Sequence, residues 1–102
     1  MKLKPGVSLT GLRPETLAGM QIADGVFRDL SETLTITSCT EGSHSRGSLH
    51  YVGLAFDVRI RDLRNTVSAV TRRLYVALGD EFDVVTESDH IHIEFQPKEN
   101  RR

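Results

Sequence analysis

Two short segments hold the side chains of this chain that are best suited to metal or acid–base chemistry. All four histidines of the 102 residues lie in or beside residues 48–57 and 87–92. Histidine titrates near neutral pH and is the commonest metal ligand in proteins. The clustering therefore indicates where the chemistry of this chain lies.

The spacing within each segment brings side chains together. Because side chains alternate along a strand, His90 and His92 share one face of a predicted strand and the residue between them points the other way. A solvent-facing pair on an amphipathic strand is the alternative interpretation of that segment alone. In the first segment Gly53 lies between His50 and Asp57, so a turn or bulge is expected to return the histidine beside the strand that carries the acid.

Two imidazoles and one carboxylate form the ligand set typical of catalytic zinc, with the fourth position left to water. His50, Asp57 and one histidine of the second segment supply such a set. A structural zinc site is usually closed by a fourth ligand, often cysteine, whereas Cys39 is the single cysteine and is expected to end a strand as a small apolar residue. Zinc lowers the pKa of its bound water to about 7 and polarises a carbonyl, as amide hydrolysis requires. A general base is also needed, and Glu87, Asp89 and the remaining histidine are the candidates.

The first segment resembles the S-x-H-x-x-G-x-A-x-D motif of zinc D-Ala-D-Ala carboxypeptidases, dipeptidases and phage L-alanyl-D-glutamate endopeptidases. The matching residues are Ser48, His50, Gly53, Ala55 and Asp57. The second segment is similar to the acid-x-x-His element of that family. The wider pattern of both segments also resembles the zinc-binding signalling domain of Hedgehog proteins, and the resemblance covers about residues 34–95.

The resemblance implies Zn²⁺ held by His50, Asp57 and His92. The second histidine of the Hedgehog-like H-x-H is the ligand, and His92 with Glu94 is similar to the H-x-E ending of the phage enzymes. His90 would then lie beside the metal and hydrogen-bond the water or the oxyanion.

The resemblance does not decide which residue is the general base or which residues contact the substrate. Asp89 is the base by the acid-x-x-His spacing, and Glu87 is the base by the Hedgehog-like pattern. Ser48 and His44 are candidate substrate contacts, although support within the loop and simple exposure explain them as well.

The chain differs from the family pattern at the end of the strand predicted over residues 34–39. Family peptidases carry an arginine there, in a serine-glycine-x-arginine setting, which steadies the substrate and the developing oxyanion. The matching place in this chain reads Ser38-Cys39-Thr40-Glu41, without arginine. Losing an oxyanion donor typically costs on the order of a hundredfold or more in rate. Arg46 is the replacement that the nearby loop offers as a substrate contact.

Two helices and four strands are expected to position these residues. Apolar residues at steps of three and four predict a helix over about 14–30 and a second one from Asp62 or Asn65 to Gly79. Period-two and β-branched patterns predict strands over 34–39, 54–60, 82–86 and 90–95. The short link between the last two favours an antiparallel hairpin. The core face of the first helix is expected to carry Leu17, Met20, Ala23, Phe27 and Leu30.

These elements predict one α+β domain over residues 1–102, and the resemblance implies a Hedgehog-like or D-Ala-D-Ala-peptidase-like fold. We expect a small antiparallel sheet with two helices packed on one face and the zinc site on the other. Residues 1–12 are expected to form an irregular arm, and residues 97–102 a charged tail. The hydrophobic fraction of 38% and the charged fraction of 26% are typical of globular chains.

The same composition argues against several classes of function. A net charge of −1 gives no electrostatic basis for nucleic-acid binding. No apolar run approaches the roughly 20 residues of a membrane span, and the start lacks the apolar core of a signal peptide. We therefore expect synthesis in the cytoplasm, without membrane association.

The resemblance implies a zinc peptidase that cuts peptide stems of bacterial peptidoglycan, at a D-Ala-D-Ala or L-Ala-D-Glu type of bond. A phage protein that acts on the cell wall after release, or as a virion component beside phage structural proteins, is the expected context. The alternative is a catalytically inactive zinc module with a structural or partner-binding role. A metal-free α+β domain is the third interpretation.

Overall fold

The computed structural model describes residues 1–41 and 52–97. These residues form a five-stranded sheet and two helices, so the predicted α+β class is confirmed. The elements are β1 (Lys2–Leu3), α1 (Pro14–Asp29), β2 (Thr35–Ser38), β3 (Ala55–Arg59), α2 (Val67–Leu78), β4 (Phe82–Thr86) and β5 (His90–Phe95). The order of strands across the sheet is β1-β2-β3-β5-β4.

The sheet is mixed, whereas a purely antiparallel one was expected. β1 lies within the residues predicted to be an irregular arm and pairs in parallel with β2. The Lys2 amide donates to the Leu34 carbonyl at 2.8 Å, and the Lys4 amide donates to the Ile36 carbonyl at 2.9 Å. A strand of two residues is too short to show a period in the sequence, which is why the pattern did not reveal it.

The centre of the sheet is antiparallel and has two chemically different faces. β3 pairs with β5 so that Asp57 lies opposite His92 and Val58 lies opposite Ile91. β4 and β5 form the predicted hairpin, linked by residues 87–89. Because facing alternates along each strand, one face of these strands is apolar and the other carries the charged residues and histidines.

A register shift separates the two halves of β2. Ile36 pairs with Val58, whereas Ser38 pairs with Asp57, so Thr37 is the extra residue of a β-bulge. Ile36 is therefore on the apolar face and Ser38 lies beside Asp57 on the polar face. Bulges of this kind redirect side chains next to functional sites.

Local signals explain the bounds of both helices. α1 starts with Pro14, whose missing amide hydrogen and fixed φ suit the first turn. α2 starts at Val67, later than predicted, because the Thr66 hydroxyl caps it by accepting from the Ala69 amide at 3.1 Å. It stops at Gly79, as predicted. Within residues 1–41 and 52–97, no helix has the length and apolar character to cross a membrane.

The two helices cover the apolar face of the sheet and form the core with it. Fully buried core side chains include Met20, Phe27, Ile36, Phe56, Val58, Val70, Leu74, Ile91 and Ile93. The prediction that Leu17 belongs to this core is wrong, since it is 41% exposed and Thr16 is buried instead. The buried stripe of α1 is shifted from the predicted one toward Gly19, where an added Cβ would lie 2.5 Å from the Phe82 ring. The close approach of this ring fixes which stripe of α1 faces inward.

Candidate functional site

The site lies on the polar face of the sheet, where Asp57 of β3 meets His92 of β5. The two residues are direct cross-strand partners, and Asp57 Oδ1 is 2.8 Å from His92 Nδ1. Their side chains are largely buried, with 14% and 20% of their surface exposed. Strand pairing therefore brings together two of the three proposed metal ligands from positions 35 residues apart.

Glu94 lies behind the imidazole of His92, two residues further along the same face of β5. Its Oε1 is 2.8 Å from His92 Nε2, and its Oε2 accepts from the side-chain Nε2 of Gln96 at 2.6 Å. The hydrogen bond with Asp57 raises the pKa of His92, burial opposes this, and the contact with Glu94 adds to the increase. Without a metal, an imidazole flanked by two carboxylates favours the doubly protonated cation.

His90 points to the same carboxylate from the neighbouring position on this face. Its Nε2 is 3.8 Å from Asp57 Oδ1, and its Nδ1 is 2.6 Å from Asp89 Oδ1. The Asp89 side chain is 85% exposed, so this pair lies at the solvent side of the site. The contact orients the His90 ring with one nitrogen on an acid and the other toward the centre.

The two predicted candidates for the base are placed differently. Asp89 contacts His90 directly, whereas Glu87 contributes a backbone hydrogen bond, in which its amide donates to the His90 carbonyl at 2.8 Å. Among the residues that the structure describes, the exposed Glu87 carboxylate has no side-chain hydrogen bond or ion pair. The structure thus associates Asp89, and not Glu87, with the histidines.

Four predicted residues lie outside the described part of the chain. They are the metal ligand His50 and the substrate contacts His44, Arg46 and Ser48. Within residues 1–41 and 52–97, no three His, Cys, Asp or Glu side chains are grouped so that they could hold one metal ion. The predicted third ligand belongs to the part that is not described.

The described pair has the donor atoms of part of a zinc site. Ligand atoms at about 2.0–2.2 Å from a tetrahedral zinc lie about 3.4 Å from each other. The 2.8 Å between Asp57 Oδ1 and His92 Nδ1 would have to open by about 0.6 Å to match that spacing. Glu94 on Nε2 supplies the outer carboxylate that usually orients a metal-binding imidazole. An oxygen donor, a nitrogen donor and an orienting carboxylate are thus in suitable places.

Gly53 of the S-x-H-x-x-G-x-A-x-D pattern has a backbone role. Its φ of +76° is rarely adopted by other residues, and a Cβ would lie 2.2 Å from the Gly11 carbonyl oxygen. The Arg13 amide donates to the Gly53 carbonyl at 3.0 Å. The glycine lets residues 11–13 pack closely against the chain that enters β3 and carries Asp57.

Glu41 stands where the resemblance would place an arginine, and it fixes the backbone. Its Oε1 accepts hydrogen bonds from the Ser8 amide at 3.1 Å and the Cys39 amide at 2.9 Å. Partial burial works against ionisation, but these backbone hydrogen bonds outweigh it and lower the pKa of Glu41. The acid joins the N-terminal segment to the end of β2, a role that its position alone did not suggest.

Cys39 is a packing residue, as the sequence indicated. Its side chain is fully buried, and its Sγ lies 3.7 Å from the Ala55 carbonyl oxygen. Burial, with a smaller contribution from the charge of Glu41, raises the pKa of the Cys39 thiol to about 11. A neutral buried thiol has little nucleophilic reactivity.

A cleft of about 640 Å³ opens beside the site. Its lining includes the predicted residues Asp57, Asp89 and His90 together with Lys4 and Arg59. Neither cation was predicted to belong to the site. Arg59 could have been found from its period-two spacing to Asp57, whereas Lys4 depends on the short strand β1.

Compared with family models and with curated proteins, the chain gives no match.

Proposed function

We propose that this chain is a zinc-dependent peptidase that hydrolyses peptide stems of bacterial peptidoglycan, at a D-Ala-D-Ala or L-Ala-D-Glu type of bond. The observation that carries the proposal is the contact between Asp57 and His92 across β3 and β5, with Glu94 behind the imidazole. An oxygen and a nitrogen ligand with an orienting acid form part of the arrangement of a zinc site, to which His50 would add the third protein ligand. The motif resemblance supplies the class of substrate.

Asp57, His92 and His50 would hold the metal in this proposal. Zinc, when bound, supplies a Lewis acid that polarises a carbonyl and makes water acidic near neutral pH. With a cation bound, Glu94 would accept the Nε2 proton of His92, and Nδ1 would offer its lone pair to the ion beside Asp57. The protein thereby selects the tautomer that binds a cation.

Asp89 and His90 are the groups proposed to move the proton. With the His90 Nδ1 proton donated to Asp89 Oδ1, Nε2 is the basic nitrogen and points to the interior of the site. An acid that holds a histidine in one tautomer orients the other ring nitrogen as the proton acceptor. Glu87 is the second candidate base, since it lies in the same hairpin turn.

The proposed setting is the bacterial cell wall, reached after release from the producing cell or as part of a phage virion. Phage structural proteins would then be neighbours of this domain. The lack of a membrane-crossing helix among the described residues is compatible with either setting.

The test measures metal and activity on the same samples. Zinc should bind to the purified protein at one equivalent, and Asp57→Ala and His92→Ala should lose it, while the exposed α1 variant Asp29→Ala keeps it. The zinc-loaded protein should release D-alanine or new amino groups from peptidoglycan, and chelation should stop the release. Zinc binding by wild type without any product would contradict the peptidase proposal.

One observation favours the inactive zinc module as a second candidate. Glu41 occupies the place of the family arginine and is already engaged with the Ser8 and Cys39 amides. An acid there cannot stabilise a developing oxyanion. The inactive module is the conclusion if zinc binds at one equivalent and no peptidoglycan fragment or model stem peptide is cut.

A further inference from the structure

The cleft beside the candidate site carries more positive charge than its own acids neutralise. Three cations line it: Lys4, Arg59 and Arg61. The two acids that line the same cleft, Asp57 and Asp89, are engaged by His92 and His90. The cations are therefore not balanced by these two carboxylates.

One exposed carboxylate serves both arginines. Asp62 lies 3.7 Å from Arg59 Nη1 and 4.0 Å from Arg61 Nε, and its side chain is 71% exposed. Ion pairs of this length at the surface are weak. Lys4 has no ion pair within the described residues 1–41 and 52–97. The cleft thus has the charges to receive a further carboxylate.

Arg59 is placed to bind that carboxylate next to the candidate metal site. It lies directly opposite His90 in the pairing of β3 with β5. It also follows Asp57 by two residues on the same face, about 6.5 Å along the strand. Its side chain is only 26% exposed, so its guanidinium is held by the cleft rather than spread over the surface.

A neighbouring cleft is also positively charged, since Lys2, Lys4, Arg59 and Arg64 line it with the acids Glu32 and Asp62. It measures about 400 Å³ and shares Lys4 and Arg59 with the first cleft. There the other arginine, Arg64, lies 3.9 Å from Glu32, a buried acid that also accepts from the Arg64 and Asn65 amides. The two shared cations line both clefts, and of the two clefts only the first is also lined by His90.

We propose that Lys4 and Arg59 form a subsite for the α-carboxylate of the substrate residue that follows the scissile bond. This rests on the proposed peptidase function. In a D-Ala-D-Ala stem that residue carries the terminal carboxylate, and in an L-Ala-D-Glu stem the glutamate continues through its side chain and leaves its α-carboxylate free. Asp57 and Arg59 line the same cleft, so one substrate residue in it can contact both ends of the site. Lys4 and Arg59 come from other parts of the chain, and they would replace the substrate contact of the arginine that is missing after β2.

The test uses a chemical pair that differs only in charge. N-acetyl-D-alanine and its amide are titrated into the zinc-loaded full chain and followed by NMR shifts. The wild-type protein should bind the acid at least about tenfold more tightly, as expected from a hydrogen bond to a charged group. Arg59→Gln and Lys4→Gln should each reduce the difference, whereas Arg28→Gln, which removes an exposed cation of α1, should keep it.

Turnover gives the second measurement. With diacetyl-L-Lys-D-Ala-D-Ala and its C-terminal amide as substrates, Arg59→Gln should raise KM for the acid and leave the amide almost unchanged. Equal binding of acid and amide by wild type, or discrimination that survives Arg59→Gln with a native NMR spectrum, would overturn the subsite. Inorganic phosphate binding as tightly as the acid would also overturn it, by indicating a general anion site.

The two proposals fail in distinguishable ways. Discrimination between acid and amide without any hydrolysis would retain the subsite and reject the peptidase. Hydrolysis of acid and amide at the same kcat/KM would retain the peptidase and reject the subsite.

Discussion

The two faces of the β3–β5 pair are built from neighbouring residues but have opposite properties. On one face, Phe56 and Ile93 are fully buried beneath the helices. On the other, Asp57 and His92 contact each other at 2.8 Å and line the polar side of the sheet. The covered face holds the fold together, and the polar face is available for chemistry. Adjacent substitutions on one strand should therefore act on different properties.

The largest expected effect is on the chemistry of the polar face. Under the proposed function, Asp89→Asn removes the acid that orients His90 and should lower turnover by about 10²–10⁴-fold. Glu87→Gln should leave turnover close to wild type, because its carboxylate has no described contact with the histidines. Turnover of a model stem peptide by zinc-loaded protein checks this. Full turnover by both variants would reject the proposed proton transfer.

A core substitution should affect stability. Phe56→Ala removes a fully buried ring beside Asp57 and should lower the free energy of unfolding by about 3–5 kcal/mol. Val85→Ala, on the polar face and 44% exposed, should change it by less than about 0.5 kcal/mol. Urea denaturation measures both. A similar loss in the two variants would mean that the faces do not differ as described.

Two glycines sharpen the comparison because they should respond with opposite signs. Gly53→Ala places a Cβ against the Gly11 carbonyl at a φ of +76° and should destabilise the protein by about 1–3 kcal/mol. Gly25→Ala in α1 meets nothing within 4 Å and should stabilise it by about 0.5–1 kcal/mol. Thermal unfolding of the two variants and wild type is the measurement. Stabilisation by Gly53→Ala would contradict the backbone role assigned to this glycine.

The smallest effect expected is the pH dependence of the metal-free protein. The pKa of His92 is raised in the folded state, chiefly by the hydrogen bond with Asp57. Its contribution to stability is therefore full below the unfolded pKa of about 6.5 and is lost as the pH rises through the higher folded pKa.

Asp57→Asn removes the largest cause of that shift and should flatten the dependence. Thermal unfolding at several pH values, with a chelator present, compares the variant with wild type. The wild-type unfolding temperature should fall as the pH rises above 6.5 and His92 loses its proton. An unfolding temperature that instead rises over this range in wild type, and does not rise in the variant, would contradict the expectation.

Alternation along strands made the faces predictable from the sequence. The period of two placed Ile91 in the core and His92 on the opposite face of its strand. The pairing of β3 with β5 then brought His92 into contact with Asp57. The helix face was less predictable, because a stripe of apolar residues can be rotated by one position at little cost. Contact between Gly19 and the Phe82 ring decided it, and Leu17 moved to the surface.

The sequence pattern alone did not predict that Lys4 lines the site. Lys4 belongs to a segment whose two-residue strand is defined only by backbone hydrogen bonds to residues 34 and 36. Glu41 likewise acts through distant amides, and no local spacing predicts which amides those are. Contacts between segments far apart in sequence need the topology of the sheet, which composition and spacing do not give.

The extra residue in β2 decides what a one-residue deletion in this strand would do. With Thr37 between them, Ile36 lies in the core while Ser38 and Asp57 share the opposite side. A deletion at position 37 would remove the bulge and leave Ile36 opposite Val58 and Ser38 opposite Asp57, so strict alternation would keep each side chain on its present face. Relatives with a single-residue gap at this point would therefore be expected to keep the same order of polar and apolar residues on either side of it.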